Sequence, residues 1–251
     1  MSDRTTIPKT IHYFWFGPRP LPELAKRCID SWRRYMPDYE IKLWNEDNFD
    51  VNMALYSKQA YAEKKYAFVS DYARLKILHE YGGIYLDTDV ELIRSLEDIV
   101  QNGGYMGLEP QEDGGVAIAT GLGMACVAGA DLYKKLIASY ESDRFILENG
   151  RQNLSTIVTR VTRTLQEDGF INSDTLQEIA GITVYPTDYF CPKNFTTGKL
   201  NVTANTYSIH WYDASWHPLS SRIFYALFRT SPAPLRRFAK NLVRKIKSQR
   251  K

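Results

Sequence analysis

Cysteine is scarce in this chain of 251 residues, which has only three. Cys28, Cys126 and Cys191 are widely spaced and odd in number, a pattern that fits neither a disulfide framework nor a structural zinc site. This scarcity excludes a small disulfide-stabilised secreted scaffold. A reducing compartment is indicated, so we expect a cytoplasmic protein.

Long apolar segments are also missing. The first ten residues, MSDRTTIPKT, contain no apolar signal region, and the uncharged stretch 116–130 is too short and too rich in glycine to cross a membrane. The length suffices for one large α/β domain with a substantial core but not for two ordinary enzyme domains. The sequence therefore predicts a single domain without a transmembrane helix.

Acidic residues are absent from the carboxyl-terminal part of the chain. From Arg229 onward there are nine Lys or Arg and no Asp or Glu, so residues 1–228 keep 23 basic residues against all 29 acidic ones. The body is therefore acidic and the tail basic. We expect an enzyme domain at 1–228 and a separate basic segment at 229–251, and we expect no nucleic-acid partner.

This basic segment has the pattern of an amphipathic helix. Its apolar residues recur at helical spacing on one face, and basic residues cover the rest. The apolar residues are Leu235, Phe238, Leu242, Val243 and Ile246. The pattern predicts a helix that lies on an anionic membrane surface through residues 235–247, on the inner face of the membrane. A disordered basic end and a helix packed on the acidic body are the alternatives.

Residues 66–90 form the most informative stretch of the chain. Apolar residues nearly encircle the helix predicted from Tyr66 onward, so this helix should be buried. Asp71 and Arg74 are three residues apart and therefore share one of its faces. An exposed salt bridge is the alternative to a binding role, but it does not explain why the rest of the helix is apolar.

Two carboxylates follow this helix closely. Gly82 and Gly83 predict its end, because glycine accepts the left-handed conformation of a C-terminal cap. A short apolar strand at 84–86 then leads into Asp87, Thr88 and Asp89. Open α/β sheets bind ligands at the carboxyl ends of their strands. A D-x-D sequence there suits Mg²⁺ or Mn²⁺ bound to a diphosphate, although D-x-D alone is also common in turns.

The succession of helix, double glycine, apolar strand and D-x-D resembles the DXD-containing sugar transferases of glycosyltransferase family 32. That family includes the yeast initiating α-1,6-mannosyltransferase and many bacterial polysaccharide transferases, and the glucosyltransferase domains of large clostridial toxins share its pattern. The resemblance covers roughly residues 7–110 and a patch near residue 210. It implies a single-domain GT-A fold, and the alternation of strands with helices likewise predicts a Rossmann-like α/β domain with a mainly parallel sheet flanked by helices.

The resemblance also implies roles for individual residues. Asp71 and Arg74 would hold the hydroxyls of the donor sugar and, with Asp89, form the catalytic group. Trp15 at the end of the first strand would stack on the nucleotide base, although a core role is the alternative. Asn45 would lie near the donor, although asparagine after a strand is commonly a turn or cap residue. The residues implied in nucleotide-sugar binding are Ile11, Trp15, Asn45, Asp71, Arg74, Asp87, Thr88, Ser215 and Trp216.

A third metal ligand is expected from the patch near residue 210. In the family, a C-terminal His or acid completes the metal site held by Asp87 and Asp89. His210 is our choice because imidazole suits Mn²⁺ and the residue ends a predicted strand, while Asp213 is the competitor. A Ser-Trp element, here Ser215 and Trp216, would close over the diphosphate.

These features together predict an enzyme that uses Mn²⁺ or Mg²⁺ to transfer a hexose, and the resemblance implies that transfer retains the anomeric configuration. The donor would be a nucleotide diphosphate sugar, with a UDP-sugar favoured, and the acceptor a saccharide or lipid-linked oligosaccharide of surface polysaccharide biosynthesis. No carboxylate stands out in the sequence as a nucleophile, so front-face attack is the default. A nucleotide-sugar hydrolase and a non-catalytic sugar-binding module are the alternatives.

Overall fold

The computed structural model describes residues 6–111 and 113–213. Its helices are α1 (Glu23–Tyr35), α2 (Leu55–Ala62), α3 (Tyr66–Tyr81), α4 (Glu97–Gln101), α5 (Asp131–Glu141), α6 (Ile157–Glu167) and α7 (Thr187–Phe190). Its strands are β1 (Thr10–Phe14), β2 (Glu40–Trp44), β3 (Gly83–Tyr85), β4 (Val90–Leu92), β5 (Gly104–Pro110), β6 (Val116–Cys126), β7 (Gln177–Ile179), β8 (Ile182–Tyr185) and β9 (Ser208–His210). Helices and strands thus alternate along most of the chain, as predicted.

Seven strands form the central sheet in the order β2-β1-β3-β6-β5-β8-β7. Strand β1 is parallel to β2 and β3, and β5 is parallel to β8, whereas β6 runs antiparallel to both of its neighbours and β7 antiparallel to β8. Five of the seven strands therefore point the same way. The prediction of an α/β fold with a mainly parallel sheet flanked by helices is confirmed.

Hydrophobic side chains cover both faces of this sheet. Helix α3 packs on one face, where Met106 and Leu108 of β5 join the core that also contains Val69 and Leu75. The opposite face carries Tyr105 of β5 together with α1, α7 and the small sheet of β4 and β9. Because side chains alternate along a strand, successive residues of β5 pack alternately into the two hydrophobic layers.

Two strands have positions in the fold that the sequence did not indicate. Strand β4 follows the D-x-D directly but lies outside the main sheet and pairs antiparallel with β9. Strand β6 occupies most of residues 116–129, where small side chains predominate and no strand was predicted, and it lies in the centre of the sheet. Its alanines and glycines lack the β-branched signal on which strand prediction depends.

The end of α3 and the start of β1 are joined by a buried histidine. The indole N–H of Trp44 donates to His12 Nδ1 at 3.0 Å, which leaves the proton on Nε2, and Nε2 donates to the Gly82 carbonyl at 3.0 Å. Burial lowers the pKa of His12 to about 4, although the hydrogen bond to Gly82 opposes this effect. A neutral imidazole thus holds α3 against the first two strands.

The three cysteines are free and buried, in agreement with the prediction of no disulfide framework. Within the described residues, no helix combines the length and the apolar character required to cross a bilayer. The predicted amphipathic helix at 235–247 and the domain boundary at 228 lie outside the described residues.

Candidate active site

Arg74 joins the helix carboxylate to the first carboxylate of D-x-D. Its Nη2 atom is 3.1 Å from Asp71 Oδ1, and its Nη1 atom is 3.2 Å from Asp87 Oδ1. Asp71 is only 8% exposed and Arg74 only 5%. The pair predicted from the i,i+3 spacing is therefore buried and extended to Asp87, so an ordinary surface salt bridge is excluded.

Burial and charge act against each other on this pair. Burial raises the pKa of Asp71 to about 6, despite the opposing attraction of Arg74. Burial also disfavours the charged form of Arg74, but Asp87 and Asp71 hold its pKa above the ordinary value. The guanidinium also lies over the Tyr85 ring, with Cζ 4.4 Å from the ring centroid. Arg74 is therefore a fixed cation at the carboxyl end of β3.

An irregularity in β6 shapes the space beside Asp87. In the pairing with β5, Met106 faces Met124 but Gly107 faces Ala119, so residues 120–123 of β6 have no partner on β5. This segment brings the Gly121 carbonyl to the backbone N–H of Asp87 at 3.2 Å and the Thr120 hydroxyl to Arg74 at 3.4 Å. A Cβ on Gly121 would lie 2.2 Å from Asp87 Oδ2, so only glycine leaves this carboxylate its position.

The second carboxylate of D-x-D meets a histidine from the far end of the described chain. Because Val90 pairs with His210 in the small sheet, Asp89 lies beside that imidazole, with Oδ1 3.2 Å from Nε2. The backbone N–H of Asp213 donates to Asp89 Oδ2 at 2.8 Å. Burial alone would raise the pKa of Asp89, but His210 and the Asp213 N–H outweigh this effect, so the pKa of Asp89 is lowered. Burial alone would lower the pKa of His210, but the charge of Asp89 outweighs this effect and raises it.

The donor set fits a divalent metal. Asp87, Asp89 and His210 each offer a ligand atom, and these atoms lie within 4.8 Å of one another. The Nδ1 atom of His210 is buried and has no hydrogen-bond partner within residues 6–111 and 113–213. Two carboxylates and an imidazole suit Mn²⁺, while Asp213 reaches Asp89 through its backbone. The geometry thus groups His210, rather than Asp213, with the two aspartates.

The other residues predicted to bind the donor differ from one another in exposure and in hydrogen bonding. Trp15 is partly exposed after β1 and donates its indole N–H to the Arg19 carbonyl. Asn45 accepts a hydrogen bond from the Asp47 backbone N–H, which is the turn role considered as its alternative. Ile11 is fully buried in the core. Thr88 lies partly exposed between the two aspartates, and Ser215 and Trp216 lie outside the described residues.

Four residues at this edge of the sheet were not predicted. Tyr85 donates its hydroxyl to Asp87 Oδ1, Thr120 and Gly121 lie in the irregular part of β6, and Glu109 lies near the end of β5. The small side chains of residues 116–129 allow close backbone packing, and at Gly121 the close neighbour is Asp87. Glu109 carried no signal, because its proximity to the site depends on sheet order alone.

Comparison with known proteins agrees with this geometry. Residues 22–105 match the family model described as "Glycosyltransferase sugar-binding region containing DXD motif". Inositol phosphoceramide mannosyltransferase 3 of Schizosaccharomyces pombe is 34% identical over 111 residues, which cover 39% of this chain and 29% of that protein. Inositol phosphoceramide mannosyltransferase 1 of the same yeast is 26% identical over 111 residues, covering 40% and 33%.

The chain thus spans about a third of the length of these curated relatives. Among solved structures, the PaToxG glycosyltransferase is similar with a TM-score of 0.49 and 19% identity, over 65% of this chain and 70% of that chain. The residues matched by the family model include Asp71, Arg74, Asp87 and Asp89. The match of residues 22–105 to this family model confirms the resemblance seen in the sequence, and this part of the chain is similar to the sugar-binding region of DXD-containing glycosyltransferases.

Proposed function

We propose that this protein is a metal-dependent, retaining glycosyltransferase that moves a hexose from a nucleotide diphosphate sugar, with a UDP-sugar favoured, to a saccharide hydroxyl. The observation that carries the proposal is the arrangement of Arg74 between Asp71 and Asp87, next to the Asp89–His210 pair. It supports the proposal because Asp71 and Arg74, which would bind the donor sugar, lie beside Asp87, Asp89 and His210, which would bind the metal. Hydroxyls of one substrate can therefore be held while its phosphates are neutralised a short distance away.

Different residues would bind the metal and the donor sugar during transfer. Asp87, Asp89 and His210 would hold Mn²⁺ or Mg²⁺, which stabilises the diphosphate leaving group when bound. Asp71 and Arg74 would hold hydroxyls of the donor sugar, and Arg74 also contacts both Asp71 and Asp87. The pair would fix the sugar as positive charge develops at the anomeric carbon, so its contacts would strengthen toward the transition state.

Residues at the same edge of the sheet would bind the nucleotide part of the donor. Trp15 offers the partly exposed face of an indole to the base, and Asn45 lies just past β2, which pairs with β1 along its whole length. Thr88 would contact the ribose, and Ser215 and Trp216, which lie outside the described residues, would contact the diphosphate. Retention by front-face attack is part of the proposal, because attack on the same face as the departing diphosphate needs no covalent intermediate.

The acceptor belongs to the same proposal. The names of the two yeast relatives describe transfer of mannose to inositol phosphoceramide, which supports a lipid-linked acceptor and the use of these enzymes at a membrane. The nine basic residues and the helical apolar pattern from Arg229 onward supply a means of holding a protein at an anionic surface. We therefore place the enzyme at the cytoplasmic face of a membrane, in surface polysaccharide biosynthesis.

The test is a panel of UDP-glucose, UDP-galactose, UDP-N-acetylglucosamine and GDP-mannose, each with and without Mn²⁺. At least one donor should raise the melting temperature only when Mn²⁺ is present, and nucleotide release should increase when saccharides are added. The anomeric configuration of the product, read by NMR, tests retention. Nucleotide release that is equally fast in water alone would instead identify a hydrolase.

A further inference from the structure

Glu109 is a carboxylate at the active-site edge of the sheet that neither the metal nor the donor sugar uses in the proposed function. It is the last residue but one of β5. Strands β3 and β5 both run antiparallel to β6, so they point the same way and their carboxyl ends meet at one edge. Glu109 therefore emerges at the edge where Asp87 and Asp89 follow β3.

The alternation of side chains along β5 decides which face Glu109 occupies. Met106 and Leu108 point into the layer of α3. A Cβ on Gly107 would lie 2.8 Å from the ring of Phe190, which belongs to the opposite layer. Glu109, two residues further on, shares that opposite face, on which β9 carries His210. The Asp71–Arg74 pair and Glu109 thus approach the metal-binding group from different sides.

The surroundings of Glu109 are electrostatically unfavourable. Burial raises its pKa, the attraction of His210 opposes this, and the charge of Asp87 adds to it. Its one hydrogen bond within the described residues comes from the Gln111 side-chain amide at 3.3 Å. No Lys, Arg or His of residues 6–111 and 113–213 forms an ion pair with it.

The other carboxylates at this edge each have a cationic partner, unlike Glu109. Asp71 and Asp87 share Arg74, and Asp89 has His210. A half-buried carboxylate that forms no ion pair and is repelled by Asp87 costs stability unless a ligand supplies hydrogen-bond donors. Sugar hydroxyls are such donors, and one carboxylate can accept from two of them.

We infer that Glu109 binds hydroxyls of the acceptor saccharide and takes no part in holding the donor; this inference rests on the proposed transferase function. The donor sugar is engaged by Asp71 on the α3 side. The space toward Glu109 is then left for the second substrate, which must reach the anomeric carbon beside the diphosphate. Glu109 contributes to orientation and affinity of the acceptor, and no bond to it forms or breaks.

The experiment compares Glu109→Gln with wild type in three measurements with Mn²⁺ and the best donor of the panel. They are the donor-induced rise in melting temperature, release of nucleotide in water alone, and transfer to methyl glucoside, methyl galactoside and methyl mannoside. The variant should keep donor binding and hydrolysis within about threefold of wild type, while kcat/KM for the glycoside falls roughly 10- to 100-fold, mainly through KM.

The matched control is Glu91→Gln, a half-buried strand glutamate that already has partners. Glu91 accepts from the Trp211 indole N–H at 2.7 Å and lies 3.4 Å from Arg27, and a glutamine oxygen can still accept from the indole. This variant should resemble wild type in all three measurements.

Unchanged acceptor kinetics in Glu109→Gln would overturn the inference. So would equal loss of hydrolysis and transfer with donor binding intact, because that result would make Glu109 a residue that acts on the donor. Wild-type protein that hydrolyses the donor and transfers to no glycoside contradicts the transferase function itself, which distinguishes the two failures.

Discussion

Asp87 packs against Gly121, and its carboxylate fits there only because glycine has no side chain. A Cβ at Gly121 would lie 2.2 Å from Asp87 Oδ2. Arg74 and Tyr85 hold the other oxygen, Oδ1. The carboxylate therefore cannot move away from an added methyl group without breaking these contacts.

Gly121→Ala should for this reason abolish metal-dependent activity in a protein that remains folded. We expect kcat/KM to fall by about 100-fold or more, because displaced ligands weaken a metal site strongly. Gly115→Ala is the matched control, since its Cβ would lie 2.7 Å from the side chain of Asn172, away from the metal-binding group. Similar melting temperatures and similar activity in the two variants would contradict the role assigned to Gly121.

The choice between His210 and Asp213 can be made by direct metal titration. His210→Ala should weaken Mn²⁺ binding about 10- to 100-fold, whereas Asp213→Asn should have little effect, because Asp213 reaches Asp89 through its backbone N–H. Asp89→Asn sets the scale for loss of a carboxylate ligand, and it should abolish transfer as excess chelator does. Titration calorimetry measures all three. Stronger loss in Asp213→Asn than in His210→Ala would reverse the assignment.

The proposed sugar-binding role of Asp71 predicts a kinetic signature. Asp71→Ala should raise donor KM and lower kcat together, because its proposed contact with the sugar would strengthen toward the transition state. Asp30 and Arg33 offer a matched control, since they form an i,i+3 pair at 2.6 Å on the exposed surface of α1. Asp30→Ala should leave both constants and the melting temperature nearly unchanged. If both variants behave like wild type, Asp71 has no role in donor binding.

The buried His12 makes stability depend on pH. Its pKa is 6.5 in its ordinary state and about 4 when folded, so between these values the unfolded chain binds the proton and the folded chain does not. The free energy of unfolding therefore falls as pH drops from about 6.5 toward 4, by roughly 3 kcal/mol from this group. Urea unfolding at several pH values measures it. In His12→Gln, the free energy of unfolding should lose this part of its dependence on pH. If the free energies of wild type and His12→Gln changed in parallel with pH, His12 would not be the cause of the loss.

The basic segment after Arg229 predicts binding to charged vesicles. The full chain should sediment with anionic but not zwitterionic liposomes, and salt should weaken this binding, because each basic residue near the surface contributes about 1 kcal/mol that ions screen. A chain ending at Thr230 should stay in the supernatant and still transfer to a soluble glycoside. Equal partitioning of both chains would mean that the segment is not an anchor.

The sequence alone determined the local part of the site. The i,i+3 spacing of Asp71 and Arg74, the glycines that end α3 and the short strand before Asp87 all lie within 25 consecutive residues, where helical and strand periodicity decide geometry. The choice of His210 needed in addition a resemblance to known transferases.

Tertiary structure decided what depends on sheet order and register. Asp89 and His210 are more than 100 residues apart, and only the pairing of β4 with β9 brings them within 3.2 Å. The unpaired segment 120–123 of β6 places Gly121 beside Asp87, and the parallel ends of β3 and β5 place Glu109 at the same edge. Local propensity carries no information about which strands become neighbours, because that choice depends on how the whole chain buries its apolar surface.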